Sequence, residues 1–289
     1  QLHANKLSTG DYLNLVAGVK SDSNAEVIST AIDGVRIIYN RIAASSGERQ
    51  ALSAWIRVTF SPEYARLGAP SSADSDNKRE LRAQLFDVLG LYGKDPAITA
   101  EARTLAEQYL ADPTSVDPTL RETALTVAAR NGDAKLFDQF LHVYETTADP
   151  ELQNSALRSL AQFRDPSLVQ RALEFAVSGK VRNQDAARQI AISLSIPHNR
   201  AQTWQFIQTH WNQVQAQFTM DMGQRLVGAT DAFCTAPSRD NVQQFFATHP
   251  VEAADVYLRH AIEAINGCIE LRAQQEPQLK SWLATRPGL

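Results

Sequence analysis

The stretch DPTLRETALTVAARNGDAKLFDQF begins at Asp117, and a near copy, DPELQNSALRSLAQFRDPSLVQRA, begins 32 residues later at Asp149. Asp117, Pro118, Leu120, Ala124, Leu125, Ala129, Asp133 and Leu136 return as Asp149, Pro150, Leu152, Ala156, Leu157, Ala161, Asp165 and Leu168. Each copy reads as two helices. The leading Asp can accept hydrogen bonds from the free N–H groups of a helix start, and the following Pro suits the first helical position. Leu120, Ala124, Leu125, Val127 and Ala128 share one helical face, while Arg121, Glu122 and Arg130 face outward. Asn131-Gly132 predicts a stop through a left-handed cap, and Asp133 opens a second helix with a stripe of Leu136, Phe137, Phe140, Leu141 and Tyr144. One such hairpin cannot bury its apolar face alone, whereas a tandem copy supplies the missing surface. The expected fold is therefore all-α, a superhelical solenoid of HEAT-like or armadillo-like hairpins. Residues 117–146 and 149–178 are expected to form adjacent, superposable units.

The rest of the chain follows the same grammar. Val27, Ile28, Ala31, Ile32, Val35, Ile38, Tyr39 and Ile42 fall on one helical stripe, as do Leu52, Trp55, Ile56 and Phe60, with a bend or break expected at Pro62. Asp-Pro pairs at 95, 112, 117, 149 and 165 mark helix starts or turns. Ile207, Trp211, Val214 and Phe218 form an aromatic stripe of the kind that fills a core. Residues from Ala253 to Trp282 suit one extended helix or two broken near Pro277. No convincing strand is present. We read residues 1–289 as one helical domain, with the Ser/Asp/Gly/Pro-rich segment 68–77 as the place for an exposed loop or an internal boundary.

Composition narrows the function classes. The net charge is −4 without a long basic run, which gives a phosphate backbone no footprint and argues against nucleic acid as a partner. No stretch is long and apolar enough for a membrane span, and the N-terminus lacks a signal-peptide pattern. The chain begins with Gln1, as expected of a processed product or an excised piece. Cys234 and Cys268 are expected to be buried free thiols; a pair would instead point to an oxidising compartment. The sequence leaves the compartment open.

Motifs that carry chemistry are missing. A zinc site needs ligands at converging spacings, yet the His-Glu-x-x-His pattern is absent, and His142/Glu145 and His260/Glu263 each lack a second His nearby. They read as surface contacts one helical turn apart. Neither a Walker loop nor a G-x-S-x-G elbow occurs, and neither Cys has a local His partner. No catalytic residue, metal site or cofactor is expected in this chain. One polar stretch, SGKVRNQDAARQI, stands out, with Gly179 ending a helix and Arg182, Asn183, Gln184 and Asp185 at the start of the next. Exposed N–H groups and a guanidinium there suit a carboxylate such as a peptide C-terminus. The simpler reading is local: Asn183 caps the helix and Arg182 pairs with Asp185.

The run VRNQDAARQIAISLSIPHNRAQTWQFIQTHWNQVQAQF, then GQRLVGATDAFCTAPSRDNVQQFF and a closing LKSWL, resembles the C-terminal domain of the zinc aminopeptidases. That family includes aminopeptidase N, the puromycin-sensitive enzyme and the endoplasmic reticulum aminopeptidases. LSTGDYLNLVAG at residues 7–18 resembles the opening of that domain, so the likeness runs end to end. The resemblance implies a non-catalytic bowl of HEAT-like helix pairs that caps a chamber and meets the distal end of the peptide substrate. It places zinc in a preceding thermolysin-like catalytic domain of the same polypeptide. It also implies that Tyr39, in IIYNRI, meets the peptide's C-terminus; Asn40 stands where the reticulum enzymes carry Lys, so Arg41 or Arg182 is the substitute basic contact. The alternative is an independent HEAT-like scaffold for a protein partner.

Overall fold

Aspartate caps set the helix starts. In the computed structural model, which describes residues 7–218 and 222–286, Asp95, Asp149 and Asp165 each accept two backbone N–H bonds just ahead of a proline at the first helical position. The helices in chain order are α1 (Thr9–Val19), α2 (Ala25–Ile37), α3 (Ser46–Arg66), α4 (Asp76–Asp87), α5 (Pro96–Ala111), α6 (Pro118–Arg130), α7 (Ala134–Thr146) and α8 (Pro150–Leu160). They continue as α9 (Pro166–Ala176), α10 (Asn183–Ser195), α11 (Arg200–Thr209), α12 (Trp211–Gln215), α13 (Met222–Gly228), α14 (Ala236–Thr248) and α15 (Asp255–Ala284). No strand occurs among the described residues, so the all-α solenoid class holds.

Both copies of the repeat form helix pairs. Their matched leucines are buried: Leu120, Leu136, Leu152 and Leu168. The second helix of the first copy, α7, packs on the first helix of the second copy, α8. Polar bonds stitch each segment to the one about a repeat further on. Arg130 Nε donates to Gln162 Oε1 (3.1 Å), Arg171 pairs with Asp138 (2.8 Å), Asn199 Nδ2 donates to Phe163 O (2.8 Å), and Gln189 donates to Leu157 O. Neighbour-to-neighbour bonding of this kind is what a stack of repeats requires.

Several local expectations are corrected. α6 does end at Asn131-Gly132, but Gly132 N–H closes an ordinary turn onto Ala129 O (3.1 Å); the left-handed glycines among the described residues are Gly68 and Gly179. Pro62 neither breaks α3 nor ends it, whereas α15, running unbroken through Pro277, takes the first of the two forms expected of it, one extended helix; each proline forfeits a single bond in a helix held by flanking buried residues. The two cysteines are not free thiols. Cys234 and Cys268 form a disulfide with their Cα atoms 5.2 Å apart, since the turn before α14 faces the first half of α15 at bridging distance.

The contacts divide the chain into two units, residues 1–128 with 270–289, and residues 129–269. In the first, the last part of α15 packs on α1. Gln275 Oε1 accepts from Thr9 N and Thr9 Oγ1 (both 2.9 Å), and Trp282 Nε1 donates to Asn14 Oδ1 (3.0 Å). Gly10 lies so close that a Cβ there would stand 2.9 Å from the Trp282 ring. In the second unit, Phe163 is wholly buried against Phe137 and Phe140, and Trp204 and Trp211 pack on Phe245 and Phe246.

Segment 68–77 lies inside the first unit and is clasped. The buried Arg82 donates to Gly68 O (2.6 Å) and pairs with Asp74 (2.8 Å), while Lys78 Nζ reaches the other Asp74 oxygen (2.8 Å). Lys78 and Arg82 together hold the Asp74 carboxyl down at about 2. An acid whose folded value lies below its unfolded value stabilises fully above the unfolded value, about 4, and loses that contribution as pH falls toward the folded one. The protection of the amides across residues 68–77, taken relative to their intrinsic exchange rates, is therefore expected to fall between pH 4 and pH 2 before the rest of the first unit opens; a loop equally protected at pH 2 contradicts it.

Candidate functional site

Two helices of the first unit change their winding at their C-terminal ends. α2 passes into a π-helical stretch at Ile38–Ile42, and α4 into another at Val88–Gly93. Such wide turns are rare and concentrate at functional sites. Each carries a tyrosine: Tyr39 meets Tyr92 edge to face with ring centroids 5.2 Å apart, and Asn40 Nδ2 donates to the Tyr92 hydroxyl (3.3 Å). Tyr39 is 8% exposed, and its hydroxyl has no hydrogen-bond partner among the described residues. Its ring therefore belongs to the core while its polar end keeps its bonding capacity.

Positive charge gathers at the end of the first π-helical stretch. Arg272 Nε donates to Arg41 O (2.8 Å), and Arg49 Nη2 donates to Ala43 O (2.7 Å). Burial, then the nearby Arg49 charge, lowers the Arg272 pKa, with Glu276 and Glu48 acting in the opposite sense. Arg36, one turn before Tyr39, has its pKa raised: burial opposes the charge, but Asp87 at 2.6 Å outweighs it. The Arg41 side chain is half-buried.

Arg182 lies in the second unit. It is exposed and occupies the N-cap position of α10, where no side chain caps the helix. The local reading is thus corrected: Asn183 is the first helical residue, not the cap, and no ion pair joins Arg182 to Asp185 among the described residues. Instead Asp185 N donates to Arg182 O (2.8 Å). Tyr144 lies nearby, its hydroxyl pKa raised by burial and by the Asp185 charge and eased down by Arg182. The positive end of α10 and one guanidinium are open to an anion there.

No group of three or more His, Cys, Asp or Glu side chains is placed to hold a metal among the described residues. His210 and His249 have local work instead: each stacks on the phenylalanine one turn earlier, Phe206 at 4.2 Å and Phe245 at 4.3 Å, at the C-terminal end of its helix. Sequence reading missed this pairing, although Phe-x-x-Thr-His occurs at both places. It also missed an apolar groove of about 370 Å³ between α1 and α2, walled by Leu15, Val16, Val19 and Val27. Residues 7–18 entered the sequence reading only through their resemblance to the opening of the domain, which gave no sign that Leu15, 56% exposed, would line a groove.

The ERAP1-like C-terminal domain family matches residues 2–267. The chain belongs to this family. It is 23% identical to Aminopeptidase 2 of Candida albicans, over 96% of this chain and 33% of the relative. It is 26% identical to Aminopeptidase M1 of Arabidopsis thaliana, over 91% and 31%, and 22% identical to Glutamyl aminopeptidase of Mus musculus, over 95% and 29%. This ERAP1-like domain thus spans about a third of the length of the curated relatives it matches, as a C-terminal domain of aminopeptidases. No helix among its described residues is long and apolar enough to cross a membrane.

Proposed function

We propose that this ERAP1-like domain serves a zinc aminopeptidase as its non-catalytic C-terminal part, capping the active-site chamber and contacting the distal end of the peptide substrate. The family match over residues 2–267 carries the reading. The partner in this reading is the thermolysin-like catalytic domain of the same polypeptide, which supplies the zinc and the base that activates its water. Tyr39, Arg41 and Arg182 are the proposed peptide-binding residues. Support comes from the Tyr39 hydroxyl, which has no hydrogen-bond partner among the described residues, from the cationic surroundings of Arg41 and from the exposed guanidinium at the head of α10. A free-standing scaffold is the less favoured reading, since the named relatives are aminopeptidases.

The test compares this chain alone with the whole polypeptide on aminoacyl amides with zinc supplied. Turnover and stoichiometric zinc are expected only with the whole polypeptide; turnover by this chain alone at a comparable rate overturns the reading. For the carboxylate contact, Arg182→Ala in the whole polypeptide is expected to weaken the preference for free-acid over amidated peptides. The loss is about fivefold, near 1 kcal/mol, because an exposed ion pair is screened by water. An unchanged preference removes Arg182 from the site.

A further inference from the structure

The disulfide in the second unit bears on how the chain is made. Cys234 and Cys268 are 7% and 3% exposed, so neither sulfur is open to a reagent in the finished fold. The bond closes a loop of 34 residues. That loop contains all of α14, whose Phe245 and Phe246 pack on Trp204 and Trp211, and Phe233, next to Cys234, packs on Trp204 as well (5.8 Å). Both cysteines are thus buried in the same unit that those rings pack.

We infer that Cys234 and Cys268 are oxidised while the second unit is still open, so that the chain matures in a compartment that oxidises thiols. The chemistry is exchange with a disulfide-bearing oxidant. One cysteine, as thiolate, attacks a sulfur of the oxidant, forming a mixed disulfide and releasing one oxidant thiolate. The other cysteine thiolate then attacks the protein sulfur of that mixed disulfide, forming the Cys234–Cys268 bond and releasing the second oxidant thiolate. The two protons lost by the cysteines end on the released thiolates, so a dithiol leaves and two electrons pass to the oxidant. Glutathione-reduced compartments oppose this product, whereas secretory and periplasmic ones sustain it. A buried bond of this kind also resists later reduction, because a reducing thiolate needs the same line of attack.

The decisive measurement uses the whole polypeptide from its own cells, lysed in iodoacetamide and digested without reductant. A linked peptide carrying Cys234 and Cys268 is expected, and recovery of both cysteines alkylated overturns the inference. Order of events is tested separately by adding glutathione disulfide either during refolding of the reduced chain or after folding is complete. Closure is expected to be about tenfold or more slower in the folded chain, since thiol exchange depends on access. Equal rates remove the claim that oxidation precedes packing. A Cys234→Ser/Cys268→Ser variant is expected to melt at a lower temperature, and an unchanged melting point in the oxidised and doubly substituted forms would deny the bond a part in the mature fold.

Discussion

Replacing Phe163 with Ala is expected to lower the unfolding free energy by about 4 kcal/mol, the cost of emptying a fully buried aromatic site. Phe163 is wholly buried, with its ring 5.1 Å from Phe137 and 6.2 Å from Phe140. It sits between α8 and α9, where the second copy of the repeat has a phenylalanine in place of Asn131. The ring therefore joins the second helix of one copy to the turn of the next, and its loss opens a cavity between them. Its backbone carbonyl also accepts from the buried Asn199 side chain, so a shift of the turn would leave a second group unpaired. Phe163→Leu keeps most of the volume and is expected to cost about 1 kcal/mol. Urea unfolding of the purified chain measures both. A Phe163→Ala loss below about 1 kcal/mol would show that the repeats do not depend on this contact.

Arg82→Ala is expected to cost about 3 kcal/mol, because removing one member of a buried ion pair strands the other. The Arg82 and Asp74 side chains are 4% and 6% exposed, and Arg82 also supplies the donor for Gly68 O. Lys78 stays beside Asp74, which softens the loss without replacing the bond to the loop backbone. The signature of the clasp is coupling. Asp74→Leu combined with Arg82→Met, which removes both charges, is expected to cost less than Arg82→Ala alone. Additive losses would mean that the two side chains act independently. Limited proteolysis adds a local readout, with cleavage expected first within residues 68–77 of the single variant.

The candidate site was only half legible. Tyr39 lay on an apolar helical stripe, and that part of its character is local; the ring is indeed buried. Its edge-to-face contact with Tyr92, and the bond from Asn40 to the same residue, join positions 52 or more residues apart, and no local pattern encodes them. The two π-helical stretches escaped for the same reason, since IYNRI and VLGLYG continue an ordinary helical pattern in sequence. Arg182 was placed correctly at a helix start, yet its expected bond to Asp185 does not form, and the choice of cap shifted by one residue. Helix boundaries depend on which backbone N–H groups stay unpaired, and that is decided after packing.

What the sequence determined by itself was everything that a few consecutive residues can enforce. The Asp-Pro pairs at 95, 117, 149 and 165 start helices because the cap and the first-turn proline act within four residues, and the 32-residue repeat demands hairpins because each apolar stripe needs a neighbour. The ordered fragments also sufficed to place the chain among aminopeptidase C-terminal domains, which the family match over residues 2–267 bears out. Only the tertiary structure decided the features whose partners are distant in the chain. Two cysteines 34 residues apart became a bond because α15 brings Cys268 to the turn before α14. Gln275 and Trp282 bind α1 from positions 266 and 268 residues further on, and a segment that reads as an exposed loop or an internal boundary is held shut by an arginine on the next helix. Caps and stripes are short-range and survive in the sequence as pattern, whereas a disulfide, a buried ion pair and a helix-to-helix bond exist only once packing has chosen which side chains meet.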